Sequence, residues 1–174
     1  ETPPEPWGLD DYADFVGAFV AKLGITPTVV LGHSNGGAIA VRALARGLSA
    51  KQLVLIASAG IRGEYKGRMK ALRLVAKTGK ALTSPLPSSV KKRLRRKVYT
   101  TVGSDMMFAE HLQETFKRVV SDDVRNDAAK IRIPTLLVYG DNDVSTPLRY
   151  GQLLHHVIKR SQLVVIPGGE HTLP

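Results

Sequence analysis

Thr28-Val29-Val30-Leu31-Gly32-His33-Ser34-Asn35-Gly36-Gly37 opens on an apolar run bounded by Pro27 and Gly32. That is the pattern of a strand buried on both faces. The run passes without a linker into a Gly-x-Ser-x-Gly turn, and Ala38 to Arg46 then follows with helical spacing and stops at Gly47. A serine between a strand and a helix must sit in a strained turn that lifts its hydroxyl above the strand ends. Gly32 and Gly36 relieve the crowding that larger side chains would create there. Gly-x-Ser-x-Gly alone is a weak signal, because both residue types are common. Here strand, turn, helix and the further Gly37 agree, which makes Ser34 a candidate nucleophile. The backbone N–H of Asn35, at the start of the helix, can donate to an oxyanion with help from the helix dipole.

Working outward, Asp10 can cap a helix in which Tyr12, Phe15, Val16, Phe19, Val20 and Leu23 form one apolar stripe, with Gly24 placed to end it. Trp7 is expected to pack over that helix. Downstream, Gln52 to Ile56 reads as a second buried strand and completes a strand, helix, strand unit. Strand signals resume at Thr135 to Tyr139, followed by a helix from about Pro147 to Lys159 and a last strand over Gln162 to Ile166. Strands that alternate with helices imply a parallel, doubly wound α/β sheet, since parallel neighbours need crossover connections. Between the second and third strands, residues 62–130 change character. Basic, helical segments are broken by Ser84-Pro85-Leu86-Pro87, and Phe108, Leu112 and Phe116 mark another apolar face. This reads as an inserted helical block, leaving 1–61 and 131–174 as the core.

Two further signals follow strands. Gly140-Asp141-Asn142-Asp143 leaves the sheet at its C-terminal edge, where ligand chemistry is expected, and either Asp141 or Asp143 could orient a histidine and stabilise its cation. An acidic loop after a strand is often only a turn. Gly168-Gly169-Glu170-His171 comes just past the last strand. A lone histidine is more often structural, but its place as third in the order Ser, Asp, His makes His171 the candidate general base. His111, His155 and His156 fall in predicted helices without carboxylates at metal-ligand spacing, so no metal site is expected.

The bulk numbers bound the rest. The 174 residues, 43% of them hydrophobic, suffice for one packed core. The absence of cysteine excludes disulfides and thiolate chemistry and fits a cytoplasmic home. No apolar run approaches the roughly 20 residues needed to span a bilayer. Glu1 to Pro6 is a Pro-rich connector, so any targeting segment is expected upstream of it. The net charge of +10 is concentrated between Arg62 and Lys97 and includes Lys91-Lys92-Arg93-Leu94-Arg95-Arg96-Lys97. Val90, Leu94 and Val98 recur there at helical spacing, so the run reads as an amphipathic helix with a solvated basic face. Neither nucleic acid nor membrane is expected as a partner, although the run leaves weak binding of anions open.

The motifs together resemble the serine-type α/β-hydrolase family. The matching pieces are Val30 to Gly37, Pro134 to Asp143 and Ile166 to His171. The resemblance implies a Ser34, His171, Asp143 triad, because the family's acid ends the Gly-x-x-Asp turn, which leaves Asp141 as a loop residue. It also implies that 62–130 is a cap that shapes substrate choice, that the substrate is a small acyl compound, and that no cofactor is used. Family members carry several strands before the first helix seen here, and a loop after those strands supplies a second oxyanion donor. An upstream half is therefore expected, as part of the same polypeptide or as a cleaved partner fragment. Without it the strand at Thr28 to Leu31 would be an apolar edge. Glu170 stands where the family usually has a small residue. The rival expectation is a non-catalytic binding protein on a hydrolase scaffold, using the basic block against anionic partners.

Overall fold

Among the described residues four short runs rich in Val, Leu and Ile form the sheet: β1 (Val29–His33), β2 (Gln52–Ile56), β3 (Thr135–Gly140) and β4 (Ser161–Ile166). All pair in parallel, in the order β1-β2-β3-β4. The computed structural model describes residues 5–62 and 112–172. The chain divides into two compact units, Glu1–Arg62 with His111–Pro174, and Gly63–Glu110. The second, with the basic run at 91–97, the helix predicted from Val90, Leu94 and Val98, and Phe108 of the other predicted apolar face, lies outside the described residues. Among the described residues no helix is long and apolar enough to cross a membrane.

Five described helices accompany the sheet: α1 (Leu9–Lys22), α2 (Asn35–Ala45), α3 (Gln113–Val120), α4 (Arg125–Ala128) and α5 (Leu148–Val157). Every crossover steps in one direction along the sheet, so right-handed connection stacks the connecting helices on one face. Leu53, Leu55, Leu137 and Tyr139 point into that face. They are fully buried with Ala38 and Val41 of α2, Val124, Ala128 and Ile131 around α4, and Leu154 and Ile158 around α5. Burying each such aliphatic side chain contributes about 1.5–3 kcal/mol. Residues 112–131 therefore enter the same core as the strands, through Val119, Val124, Ala128 and Ile131. Trp7 N–H donates to Thr115 Oγ1 at 3.1 Å, and Arg118 donates to the Pro6 carbonyl at 2.7 Å.

Two expectations about local structure change. The N-cap of α1 is Gly8 rather than Asp10: Asp11, at the third helical position, reaches back to accept the Gly8 N–H at 2.7 Å, while Asp10 pairs with Arg42. The predicted apolar stripe is buried only in part: Tyr12, Val16 and Val20 are half-buried, with Tyr12 packed against the core. Leu9 and Ala13 are buried, whereas Phe15 and Phe19 are more than half exposed. Toward α2, Asp10 and Asp14 meet Arg42 and Arg46. Trp7 packs edge-on against Tyr12, with ring centroids 5.0 Å apart. Arg42, largely enclosed, also reaches Asp127 at 2.6 Å and Asp122 at 3.1 Å, joining α1, α2 and α4. Burial alone would lower its pKa, but the three carboxylates raise it above the usual arginine value. Among the described residues β1 stands at the edge of the sheet, and Leu31 is 61% exposed rather than buried on both faces.

Candidate active site

The turn between β1 and α2 is as strained as its sequence requires. Ser34 has φ 51° and ψ −121°, outside the regions that residues with side chains prefer. Three backbone hydrogen bonds hold it there. Ser34 N–H donates to the Ile56 carbonyl at 3.0 Å, and its own carbonyl accepts from Gly37 and Ala59 at 3.1 and 2.9 Å. The close approach falls on Gly32, where an added Cβ would stand 2.6 Å from both the Gly36 carbonyl oxygen and the Gly37 Cα. Gly37 is closed in by Ser58, whereas Gly36 faces open space among the described residues. Asn35 is the first residue of α2, so its N–H has no partner within its own helix.

The strand ends bring the three candidates into one hydrogen-bonded line. His171 Nε2 lies 2.9 Å from Ser34 Oγ, across 137 residues of sequence, and His171 Nδ1 lies 2.8 Å from Asp143 Oδ2. With Nδ1 carrying the proton and donating it to the carboxylate, Nε2 is free to accept the serine proton. The Asp143 side chain is wholly enclosed, while that of His171 is 27% exposed. Burial pushes the Asp143 pKa up, but the Thr146 hydroxyl, the His171 ring and the backbone N–H groups of Thr146 and Ser145 outweigh it and hold the carboxyl below its ordinary value. A carboxylate with a lowered folded pKa contributes stability that is fully present above about pH 4 and is lost as pH falls through the folded value. Asp123, lowered against burial by Arg125 and the Arg62 amide, acts in the same direction. Urea unfolding between about pH 5 and about pH 2.5 should therefore show stability falling with acid, less steeply in Asp143→Asn. Parallel slopes would remove Asp143 from the acid response.

Two residues in this arrangement were not singled out from sequence. Thr146 Oγ1 lies 2.6 Å from Asp143 Oδ2, 2.9 Å from the Ala57 carbonyl and 3.1 Å from His171 Nδ1. Its hydroxyl has one proton, so the two acceptors share it while the backbone N–H groups of Ser145 and Thr146 donate to Asp143 Oδ1 at 2.7 and 2.9 Å. An Asp three residues before a Thr, with Pro147 opening a helix, was the signal for such a turn. Ala57 adopts φ 44° without being glycine, at the end of β2 beside Thr146, and its sequence carries no sign of it. His33 is exposed, and its Nε2 lies 3.0 Å from the His171 carbonyl. Asp141 does not touch the histidine ring; its carboxylate accepts the Gly168 N–H at 2.7 Å.

Comparison with known proteins places this chain in a family. The sequence model for serine aminopeptidase, S33, matches residues 8–174. The chain belongs to this family of α/β hydrolases. Its curated relatives include pimeloyl-[acyl-carrier protein] methyl ester esterase of Neisseria meningitidis serogroup C, 28% identical over 96% of this chain and 70% of the relative. The serogroup A protein of the same name is 27% identical and is covered over 57% of its length. Among solved structures, an esterase from Exiguobacterium antarcticum superposes with a TM-score of 0.70 at 18% identity, over 99% of this chain and 70% of that one. A bromoperoxidase from Bacillus anthracis gives 0.68 at 19%, over 98% and 70%. At such identities the structures speak for the α/β-hydrolase fold alone. This S33 family member thus spans between 57% and 70% of the length of these relatives.

Proposed function

We propose that this S33 family member supplies the nucleophile, base and acid of a serine hydrolase that cleaves an ester or related acyl substrate through an acyl-serine intermediate. The observation that carries the reading is the continuous line Ser34 Oγ, His171 Nε2, His171 Nδ1, Asp143 Oδ2, with both contacts under 3 Å. In the first half-reaction His171 takes the Ser34 proton as Oγ bonds to the acyl carbon, and the electron pair of the C=O moves onto oxygen. The Asn35 N–H helps to hold that oxyanion. The intermediate collapses, the leaving group departs with the proton from His171, and Asp143 stabilises the imidazolium in between. Water then attacks the acyl-serine with His171 again as base, releasing the acid. Among acyl substrates the ester reading is favoured because curated relatives are named as methyl ester esterases, while the family description names an aminopeptidase. Of residues 62–130, the part before Leu112 is read as the cap that shapes substrate choice, from its place between β2 and β3, since Val119, Val124 and Ala128 belong to the core.

A fluorophosphonate probe applied to the full-length protein should label it covalently, and the label should vanish in Ser34→Ala. An unlabelled wild type would end the proposal. On the same protein, a panel of p-nitrophenyl esters of increasing acyl length should be turned over. A silent panel beside cleavage of aminoacyl anilides would move the substrate from esters to amides.

A further inference from the structure

The loop that carries His171 is held against the exit of β3 at several points. Past the last ladder pair, Gly140 with Ile166, Asp141 N–H still donates to the Ile166 carbonyl at 3.3 Å and Asn142 N–H to the Gly169 carbonyl at 3.0 Å. The approach is so close that a Cβ on Gly140 would overlap the Gly169 carbonyl. Ile166-Pro167-Gly168-Gly169 closes as a β-turn, with Gly169 N–H donating to the Ile166 carbonyl at 3.1 Å and Gly168 at φ 70°. Proline second and a left-handed glycine third define type II. Such a turn has an alternative: rotation of its central peptide, Pro167 to Gly168, converts it toward type I. The N–H that reports the orientation of that peptide is Gly168's, and it is the one the Asp141 carboxylate accepts at 2.7 Å.

We propose that Asp141 is a positioning residue for His171, acting through the Gly168 amide to hold the Pro167-Gly168 peptide in one orientation. The two acids of Gly140-Asp141-Asn142-Asp143 then divide the work: Asp143 takes the ring of His171 and Asp141 takes the backbone of the loop that delivers it. A carboxylate is suited to this, because a charged acceptor makes the stronger hydrogen bond to an N–H. Main-chain bonds from 141 and 142 survive removal of the side chain, so the loop stays attached while its central peptide is freed to rotate. The base, three residues beyond Gly168, then samples positions away from Ser34 Oγ. Displacement of a catalytic group by about 1 Å can cost on the order of 100-fold.

The inference rests on the proposed roles of Ser34 and His171, and one set of measurements separates the two. Wild type, Asp141→Ala and Asp141→Asn, as full-length proteins, are compared for fluorophosphonate labelling rate, for kcat and KM on an ester substrate, and for thermal unfolding. Asp141→Ala should label and turn over about 10- to 100-fold more slowly with KM unchanged. Asp141→Asn keeps an amide oxygen at the same place and should recover most of the loss. In wild type the Gly168 amide should exchange slowly with solvent hydrogen, and in Asp141→Ala quickly. Labelling of Asp141→Ala at the wild-type rate, or equal rates for Ala and Asn variants that melt together, overturns the positioning role. An unlabelled wild type overturns the parent reading instead. If Asp141→Ala does not fold, an Asp141→Asn variant as slow as 100-fold below wild type, yet melting with it, also overturns the role.

Discussion

Replacing His171 with Ala is expected to lower turnover by on the order of 10⁶-fold, since nucleophile and base act as a unit whose loss leaves only binding and the oxyanion donors. The geometry predicts the shape of the whole series. His171 Nε2 is the group within reach of the Ser34 proton among the described residues, at 2.9 Å, so Ser34→Ala and His171→Ala should fall to the same floor. The double variant should fall no further. Asp143→Asn should lose less, on the order of 10⁴-fold, because an amide in place of the carboxylate can donate to Nδ1 and force the proton onto Nε2, the wrong tautomer for accepting from serine. His171→Ala should retain the fold, since the His171 side chain is 27% exposed and lies outside the buried apolar cluster. Single-turnover rates with circular dichroism on the same samples would check this. A His171→Ala protein within 100-fold of wild type would assign the base elsewhere.

The second large effect falls on a residue with no side chain. Gly32→Ala places a methyl group 2.6 Å from the Gly36 carbonyl oxygen and the Gly37 Cα, and both are backbone atoms of the first turn of α2. Neither can swing aside as a side chain would. Either α2 shifts away from β1 or the strained Ser34 turn opens, and overpacking of this kind costs about 1–3 kcal/mol or more. Because Ser34 sits inside the compressed turn, labelling by fluorophosphonate should fall together with the melting temperature. Gly36→Ala supplies the contrast. Its Cβ meets nothing within 4 Å among the described residues, and alanine is favoured over glycine within a helix by about 1 kcal/mol. It should melt at or above wild type. Equal melting of the two variants would show that the turn does not depend on close packing at Gly32.

Much of this arrangement was legible in the chain. Val29 to Ala45 announces strand, turn and helix because the signals are local: period and glycine placement express backbone sterics over a few residues. The order Ser34, Asp143, His171 was visible for the same reason, each residue standing just past a recognisable strand. Asp143 is a softer case. Spacing left it level with Asp141, and only resemblance preferred it. In the folded chain the two differ plainly, one at the imidazole and one at the Gly168 amide.

What sequence reading missed shares a single cause. The apolar stripe of α1 has correct helical spacing, yet Phe15 and Phe19 are more than half exposed while Leu9 and Ala13 are buried, and pairing of Asp10 and Asp14 with Arg42 and Arg46 fixes the side of α1 that meets α2. Thr146 reads as an ordinary turn residue until β2 brings the Ala57 carbonyl beside it from 89 positions away. Ala57 holds a left-handed conformation that no glycine advertises. By itself, then, the sequence determined the elements, their order and the chemical types available at the C-terminal edge of the sheet, since these depend on local backbone preference and apolar period. Only the tertiary structure decided which atoms meet there. A 2.8 or 2.9 Å contact between residues far apart in the chain depends on the register of parallel strands and on where each turn points, and neither is encoded within reach of a short window of residues.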